Sequence, residues 1–352
     1  MDDVVVIGAG LSGLTAARQL HQAGYRVLVV DKSRGLGGRM ATRRLGATVI
    51  DHGCRYLQPF ADASHSLVST LLAAGVLQGW QPESFALAAN GTLSAIATEP
   101  LYIAPHGMSA VAKALAPGLT IHRHWRATTV TPISQGWRIE GEIGEANSQS
   151  QPQTLEAKAV VVAIPAPQAA ALIDQAAADN PALQTLNQRL QAVQFEAVLT
   201  VMAGYGKTSS SRLPAQQTDS GWMITGDHHP QLRWIALDSS KHTDSTEPVV
   251  VVHSSAAFAA QHLDHTDLAS VGQALLTTAA QHLAPWLASP EWTQVHRWRY
   301  GFVHQPLGST VLSCPTLPHL VGCGDWCNGG NVEGAIASGH QAANLIAQAL
   351  AS

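Results

Sequence analysis

Three glycines near the start of the chain have the spacing of a turn that binds a dinucleotide. They belong to the run Gly8-Ala9-Gly10-Leu11-Ser12-Gly13. Gly8 permits a tight turn, Gly10 lets the backbone approach a pyrophosphate, and Gly13 lets a helix pack closely against a strand. Asp31 follows at the place where a carboxylate accepts a hydrogen bond from a ribose hydroxyl. The pattern predicts a site in which phosphates face a helix N-terminus.

Basic residues follow Asp31, and one of them is suited to the same pyrophosphate. Arg39 comes directly after the pair Gly37-Gly38. Its planar guanidinium matches phosphate oxygens in a bidentate manner. Arg43 and Arg44, a few residues later, are expected in a solvated basic loop.

The far end of the chain carries a second glycine-rich turn with an acidic residue. His319–Cys323 reads as a short apolar strand that runs into Gly324 and Asp325, and a helical pattern begins near Val332. Asp325 would accept a hydrogen bond from a polyol hydroxyl, and the new helix would point its positive end at an electron-rich ring edge. A single site built from both ends of the chain suits FAD, which is long enough to need both.

Apolar periodicity places these turns between strands and helices. The first glycine run lies between a predicted strand, Asp3–Ile7, and a predicted helix, Leu14–Ala23, with a second strand at Arg26–Val30. Further elements are predicted as helices at 63–74, 109–115, 168–191 and 268–283, strands at 119–124, 127–133, 136–140 and 159–164, antiparallel strands over 195–257, and polar loops at 141–154, 207–211 and 241–247.

The composition excludes several classes of protein. Of 352 residues, 46% are hydrophobic and 12% are charged, against about 25% charged in ordinary soluble proteins, so a disordered chain is excluded. A net charge of -4 argues against binding to nucleic acid. Fifteen of the twenty basic residues are Arg, which favours recognition of anions.

Neither a membrane span nor a metal site is predicted. The longest apolar stretch, Ala159–Ile173, is interrupted by Pro165 and is shorter than the ~20 residues that a spanning helix needs. Cys323 and Cys327 have no second pair with which to bind zinc. Four cysteines do not make a disulfide scaffold, so a reducing, cytoplasmic location is expected.

Together these motifs resemble the FAD-dependent amine-oxidase superfamily and, within it, the bacterial branch of the renalase family. The resemblance covers nearly the whole chain and includes the segments 51–56, 104–109, 162–168, 252–254, 296–299, 323–327 and 332–339. It implies an α/β fold of the p-hydroxybenzoate hydroxylase and amine oxidase type, with a Rossmann-type FAD-binding domain and an inserted antiparallel-sheet α+β substrate domain. The implied ranges are 1–60, 103–172 and 296–352 for the FAD-binding domain, and 61–102 and 173–295 for the substrate domain.

The renalase resemblance also implies an activity. Members of that family oxidise the 2- and 6-dihydro isomers of NAD(P)H to NAD(P)+ with non-covalent FAD, and dioxygen is reduced to hydrogen peroxide. The expected partners are therefore a dihydronicotinamide dinucleotide and dioxygen. The cofactor carries the electrons, and no proton is taken from a stable C–H acid, so a shaped aromatic pocket is expected in place of a strong base.

Matching positions carry the family's functional residues to this chain. Tyr56, His253 and Trp298, with Arg55 beside them, are the candidates for the catalytic nicotinamide pocket. The implied cofactor-binding residues are Gly8, Ala9, Gly10, Ser12, Gly13, Asp31, Lys32, Arg39, Gly53, Cys54, Arg55, Tyr56, Val130, Gly324, Asp325 and Val332.

Three positions depart from the family pattern. Renalases carry Gln in place of Arg55 and Ala in place of Cys54, and the Asn expected near Leu237–Lys241 is absent. A cation at position 55 would stabilise an anionic reduced flavin and could hold a substrate phosphate.

Three other functions are compatible with the motifs. A true amine oxidase would place a lysine-bound water near the flavin, and Lys207 is the lysine expected in that region. A general NAD(P)H oxidase or quinone reductase would share the same pocket. A flavin-dependent sensor or assembly factor would bind FAD without turnover.

The purified protein should be yellow and should release intact FAD on denaturation, because both ends of the chain offer groups suited to that cofactor. Chromatography of the supernatant after heat precipitation, against an FAD standard, checks this. A colourless protein that takes up no added FAD would overturn the interpretation of both glycine-rich turns.

Overall fold

The computed structural model describes residues 1–58, 62–144, 150–206, 211–218, 220–226, 228–243 and 245–352. Its strands are β1 (Asp2–Ile7), β2 (Val27–Asp31), β3 (Thr42–Leu45), β4 (Thr48–Asp51), β5 (Gln78–Trp80), β6 (Glu83–Leu87), β7 (Leu93–Ala95), β8 (Leu101–Ile103), β9 (Thr120–Arg123), β10 (Trp125–Ile133), β11 (Gly136–Ile143), β12 (Gln151–Val162), β13 (Gln194–Gly204), β14 (Trp222–Thr225), β15 (Leu232–Leu237), β16 (Val249–Ser254), β17 (Trp292–Gln305) and β18 (Leu320–Gly322). Its helices are α1 (Leu11–Gln22), α2 (Asp62–Ala73), α3 (Ser109–Leu115), α4 (Ala166–Ala177), α5 (Pro181–Gln191), α6 (Ala256–His262), α7 (Leu268–His282) and α8 (Val332–Ala351).

The first sheet has the order β10-β11-β12-β1-β2-β9, and β18 pairs with β12. Pairing is parallel from β12 through β1 and β2 to β9, and also between β12 and β18, whereas β11 is antiparallel to both of its neighbours, β10 and β12. The central strands are continuous apolar runs, such as Val4–Ile7 and Ala159–Val162, because both faces of a parallel sheet are covered. The glycine turn follows β1, at the carboxyl end of this sheet.

The second sheet has the order β17-β13-β16-β15-β14-β6-β7 and is antiparallel except where β14 meets β6. Its two faces bury different sets of residues because side chains alternate along a strand. Val250 and Val252 of β16 pack with Leu275 of α7. Val249 and Val251 belong to the same buried cluster as residues of the first sheet. The face that includes Val249 and Val251 therefore points toward the glycine turn and the loop after β4.

Several predicted boundaries differ from the observed elements. The single helix predicted over 168–191 is two helices, because Pro181 starts α5 and Asn180 caps it by accepting from two backbone N–H groups. Both helices pack in the core of the first sheet. The domain limit predicted at 172/173 falls inside α4, that at 295/296 falls inside β17, and that at 60/61 lies outside the described residues; the domain ranges stay a prediction.

No helix in the described ranges combines the length and the apolar character that crossing a membrane requires.

Replacing Gly13 by Ala should destabilise the apoprotein by about 1–3 kcal/mol, since a Cβ there would overlap the carbonyl oxygen of Gly8 where α1 leaves β1. Urea denaturation of the cofactor-free protein measures the effect. Gly10→Ala is the matched control, because a Cβ on Gly10 would meet no atom within 4 Å. Equal losses in the two variants would mean that the close approach at Gly13 does not matter.

Candidate functional site

The carboxylate of Asp31 closes the glycine turn. One of its oxygens accepts from the backbone N–H of Ala9 at 2.7 Å, and the other accepts from that of Ser33 at 2.7 Å. A carboxylate offers about four acceptor positions, so both oxygens retain capacity for a ribose hydroxyl. The space beside Gly10 is open. This cradle fits the dinucleotide that the sequence predicts.

Ser12 connects the two ends of the chain. Its buried hydroxyl donates to the carbonyl of Ala335 in α8 at 2.8 Å. The two helices approach closely here, since a Cβ on Gly339 would lie 2.5 Å from the Ser12 carbonyl oxygen. The Ser12 side chain therefore ties α1 to α8, and its predicted cofactor contact stays a prediction.

Arg39 and Asp325, both predicted to contact the cofactor, form an ion pair at 2.5 Å. Arg39 also donates to the carbonyl of Gly301 in β17 at 3.3 Å. About a third of its side chain is exposed, at 32%, so one side of the guanidinium still faces outward. The pair joins the loop after β2, the C-terminal turn and the second sheet, and the contact of Arg39 with a pyrophosphate stays a prediction.

The remaining predicted residues of the nucleotide site have different positions. Gly324 is buried, and its N–H donates to the hydroxyl of Ser338 at 3.0 Å. Val332 begins α8 and is half-buried, whereas Lys32 is exposed. Val130 is 0% exposed within β10, so its side chain belongs to the core.

The second sheet carries a row of polar side chains on the face that points toward the first sheet. Register pairs Trp234 with His253, His253 with Thr200, and Thr200 with His296, across β15, β16, β13 and β17. Directly paired residues point to the same face of a sheet. His253 alternates with Val252, so it lies on the face that includes Val249 and Val251. The register therefore brings Trp234, His253, Thr200 and His296 into one row, which forms the site floor. Of these four residues, the sequence predicted only His253 as a site residue.

The loop after β4 lies over one end of this row. The indole N–H of Trp298 donates to the carbonyl of His52 at 2.9 Å, and the His52 and His296 rings are 4.8 Å apart. Gly53 is required where the loop passes between two neighbours, because a Cβ there would overlap the Arg39 carbonyl oxygen and lie 3.1 Å from the Trp298 ring. Trp298 thus lies beside Gly53, and its place in a nicotinamide pocket stays a prediction.

Cys54 continues this loop. Its N–H donates to the Arg39 carbonyl at 2.7 Å, and its thiol donates to the Tyr56 carbonyl at 3.4 Å. Desolvation raises the pKa of the Cys54 thiol to about 11. The thiol is therefore neutral near pH 7 and supports the loop as a weak hydrogen-bond donor.

Buried polar atoms without partners concentrate at the site floor. Among the described residues, no hydrogen bond is made by the Trp234 indole N–H, the Thr200 hydroxyl, the His52 Nδ1 or either ring nitrogen of His253. Leaving a buried polar group unsatisfied costs about 1–3 kcal/mol. Groups of this kind are normally satisfied by water or a ligand, so the row retains unused hydrogen-bonding capacity, although Trp234, Thr200 and His253 are buried.

His253 of the floor and His52 of the loop after β4 are held neutral. Burial, followed by the charge of Arg55, lowers the pKa of His253 well below its ordinary value. Burial and His296 lower the pKa of His52 to about 4. Each ring therefore offers one donor and one acceptor near pH 7.

The Arg55 guanidinium lies among three aromatic rings. Its central carbon is 5.6 Å from the ring centre of Tyr56, 5.5 Å from that of Trp234 and 5.7 Å from that of Phe302. Arg233 lies over the Phe302 ring at 3.8 Å. Sequence reasoning placed Arg55 and Tyr56 together but missed Trp234 and Phe302, which come from strands distant in the sequence.

Lys241 lies in the interior, in contrast to the polar loop predicted over 241–247. Its side chain is 0% exposed, with the ammonium 2.5 Å from an oxygen of Asp238. Lys207, the lysine expected near the site, lies outside the described residues. The spacing of Asp238, Lys241 and His242 could have signalled the cluster, because residues three and four apart share one side of a helical turn.

Two family models match consecutive parts of the chain. The model for an NAD(P)-binding Rossmann-like domain matches residues 6–71, and the model for flavin containing amine oxidoreductases matches residues 71–347. The second match alone covers more than half of the chain.

Curated relatives align over short segments only. An L-amino acid dehydrogenase of Synechocystis sp. is 40% identical over 68 residues, which is 19% of this chain and 14% of that protein. A nicotine dehydrogenase of Pseudomonas putida is 43% identical over 60 residues, which is 16% of this chain and 12% of that protein. The chain thus matches a small part of the length of these relatives.

Solved structures match over the whole chain. Cyclohexylamine oxidase from Brevibacterium oxydans has a TM-score of 0.73 at 15% identity and covers 100% of both chains. Putrescine oxidase bound to putrescine has a TM-score of 0.66 at 14% identity, covering 100% of this chain and 99% of that one. These matches confirm the predicted fold class.

Arg39→Ala should raise the dissociation constant for FAD roughly tenfold, the size expected for loss of one charge-assisted contact to phosphate. Fluorescence titration of the apoprotein with FAD measures it. Arg44→Ala, an exposed arginine of β3, is the matched control. Unchanged FAD affinity in the Arg39 variant would remove Arg39 from the pyrophosphate site.

Proposed function

This chain belongs to the family of flavin-containing amine oxidoreductases with FAD as cofactor, and on that premise we propose that it is a renalase-like oxidase of dihydronicotinamide dinucleotides. The substrates are the 2- and 6-dihydro isomers of NAD(P)H. FAD supplies the acceptor for a hydride, and one substrate, one dioxygen and one proton give NAD(P)+ and hydrogen peroxide.

The observation that carries this proposal is the arginine among the aromatic rings. Tyr56, Trp234 and Phe302 form a set of π-faces of the kind that attracts a cation. The guanidinium of Arg55 already occupies that set. A protonated amine entering here would meet a like charge, whereas a dinucleotide brings phosphates that an arginine attracts.

The uncharged floor supports the same class of substrate. His253, Thr200 and Trp234 offer donors and acceptors without a net charge. A nicotinamide ring carries a carboxamide with one acceptor oxygen and two N–H donors, which complements such a set. We therefore assign the nicotinamide to this row, with Tyr56 and Trp298 at its sides.

Arg233 is a second arginine beside the proposed substrate site. Arg233 lies against the same Phe302 ring as Arg55 and has a side chain that is 34% exposed. It pairs with Glu196 at 2.6 Å, which orients the guanidinium. Arg55 adds a positive charge beside the floor, which favours an anionic substrate, and Arg233 lies on the same Phe302 ring with its charge compensated by Glu196.

The chemical demands on the side chains are modest. A dihydronicotinamide donates hydride without prior removal of a proton, so the neutral histidines need only bind and orient the ring. Arg55 stabilises negative charge that develops beside it as electrons arrive.

Anaerobic mixing with the 2- or 6-dihydro isomer should bleach the flavin about a hundredfold faster than NADPH, cyclohexylamine or putrescine does, a difference of roughly 2.7 kcal/mol in barrier. Stopped-flow absorbance at the flavin band measures each rate. Equal rates with NADPH would support a general NAD(P)H oxidase or quinone reductase. Faster bleaching by an amine would support amine oxidation, and no bleaching by any substrate would support a sensor.

A matched pair of variants separates binding of the ring from binding of the cofactor. His253→Ala should slow this bleaching by roughly tenfold while FAD content stays at one per chain, because the side chain lies in the nicotinamide row. His122→Ala, an exposed histidine of β9, should leave the rate unchanged. Loss of FAD in the His253 variant, with normal reduction of the fraction that retains it, would contradict the assigned role.

A further inference from the structure

Four ionisable side chains lie together in the interior, where the loop after β4 meets the turn after β15. They are Asp51, Asp238, Lys241 and His242, and their side chains are between 0% and 3% exposed. The Lys241 ammonium is 2.5 Å from Asp238 and 3.6 Å from Asp51, and His242 is 3.1 Å from Asp238. The proposed oxidation does not use any of these groups directly.

The cluster resembles a metal site, but a side chain already supplies its cation. One ligand atom from each of Asp51, Asp238 and His242 lies within 4.8 Å of the other two. The Lys241 ammonium sits against both carboxylates. A divalent ion would have to enter against that positive charge, so the resident cation is the ammonium.

Electrostatics keep Asp238 and Lys241 ionised in spite of their burial, whereas burial raises the pKa of the Asp51 carboxyl. Burial opposes ionisation of Asp238, but the charges of Lys241 and His242 outweigh it and hold the pKa of Asp238 at about 2. Burial likewise opposes the charged form of Lys241, and Asp238 and Asp51 nevertheless raise the pKa of its ammonium. Lys241 is therefore charged at neutral pH and can donate three hydrogen bonds.

One of those donations reaches the loop that carries the proposed pocket residues. The ammonium donates to the backbone carbonyl of Arg55 at 3.2 Å. Asp51, at the start of the same loop, is fixed independently: its N–H donates to Asp238 at 3.0 Å, and its carboxylate accepts from the N–H of Met108 at 2.8 Å. Lys241 thus holds the middle of a loop whose beginning is already anchored.

We propose that Lys241 is a positioning residue, which orients Arg55 and Tyr56 toward the flavin by holding the Arg55 carbonyl. The carboxylates and His242 hold the ammonium in turn. The inference rests on the proposed placement of the flavin beside this loop and is independent of the identity of the substrate.

Charge-balanced double variants test the proposal on the FAD-bound protein. Lys241→Met alone would leave the buried Asp238 carboxylate without its cation, so Asp238→Asn is added to keep the net charge unchanged. Lys241→Gln with Asp238→Asn is the matched control, because glutamine is also neutral but retains an N–H donor. Lys158→Met, at an exposed lysine, controls for loss of a lysine elsewhere.

Sulfite provides a readout that needs no substrate. It adds to oxidised flavin and leaves a negative charge that a nearby guanidinium stabilises. We expect the Met double variant to bind sulfite roughly tenfold more weakly than the native protein does. The Gln double variant should recover much of that loss. The two double variants should have the same thermal midpoint of unfolding. Adding Arg55→Gln should weaken sulfite binding in the native protein but add little in the Met double variant, because neighbouring residues that act together are not additive.

Three results would overturn the proposal. Native sulfite affinity in the Met double variant would make Lys241 a charge-balancing residue only. Equal weakening in the Met and Gln double variants would show that the donor does not matter. Failure of both double variants to fold, in spite of balanced charge, would assign Lys241 to folding and withdraw the positioning role. Rapid bleaching by an amine in the native protein would overturn the proposed substrate and leave this inference standing.

Discussion

The ion pair between Lys241 and Asp238 fixes the contact between the second sheet and the loop after β4, and the site depends on that contact. Both side chains are fully buried, and breaking such a pair by removing one partner costs about 3–5 kcal/mol because a charge is left uncompensated. Asp238 follows β15 in the second sheet and also accepts from the N–H of Asp51, which ends β4. The loop that follows Asp51 is therefore held in register with the second sheet, and the row through His253 meets that loop as a direct consequence.

The charges near this contact also act on the proposed substrate site. Arg55 and Lys241 both add to the cost of protonating His253, whose pKa burial already lowers. Under the proposed function, a neutral histidine row beside the Arg55 guanidinium favours polar uncharged rings over ammonium groups. On the same proposal, the Arg55 guanidinium also stabilises negative charge that accumulates beside it. The proposed binding preference and electron acceptance thus have one electrostatic cause.

Local patterns made the nucleotide half of the site predictable. The glycine turn, Asp31 and the strand-helix-strand unit around them lie within one short stretch, where spacing alone carries the geometry. Arg39 and Asp325 were found as separate candidates, but their ion pair was not, because nothing local shows that two distant turns meet. Trp234 and Thr200 were missed for the same reason: their position follows from strand register across the second sheet, which no single strand encodes. Lys241 was assigned to a polar loop since burial of a lysine depends on carboxylates supplied by other segments.

The difference at position 55 becomes intelligible once the surroundings of that residue are known. The Gln that renalases carry in place of Arg55 would be neutral and shorter, so it could not extend a positive charge among the rings of Trp234 and Phe302. Arg55 can do so because the aromatic faces compensate part of the free-energy cost of its desolvation. In addition, Lys241 donates a hydrogen bond to the backbone carbonyl of Arg55. An arginine held in this way keeps its charge close to the floor instead of reaching into solvent. Under the proposed function, an arginine at this position would therefore strengthen the preference for anionic dinucleotides over amines without requiring any change in the fold.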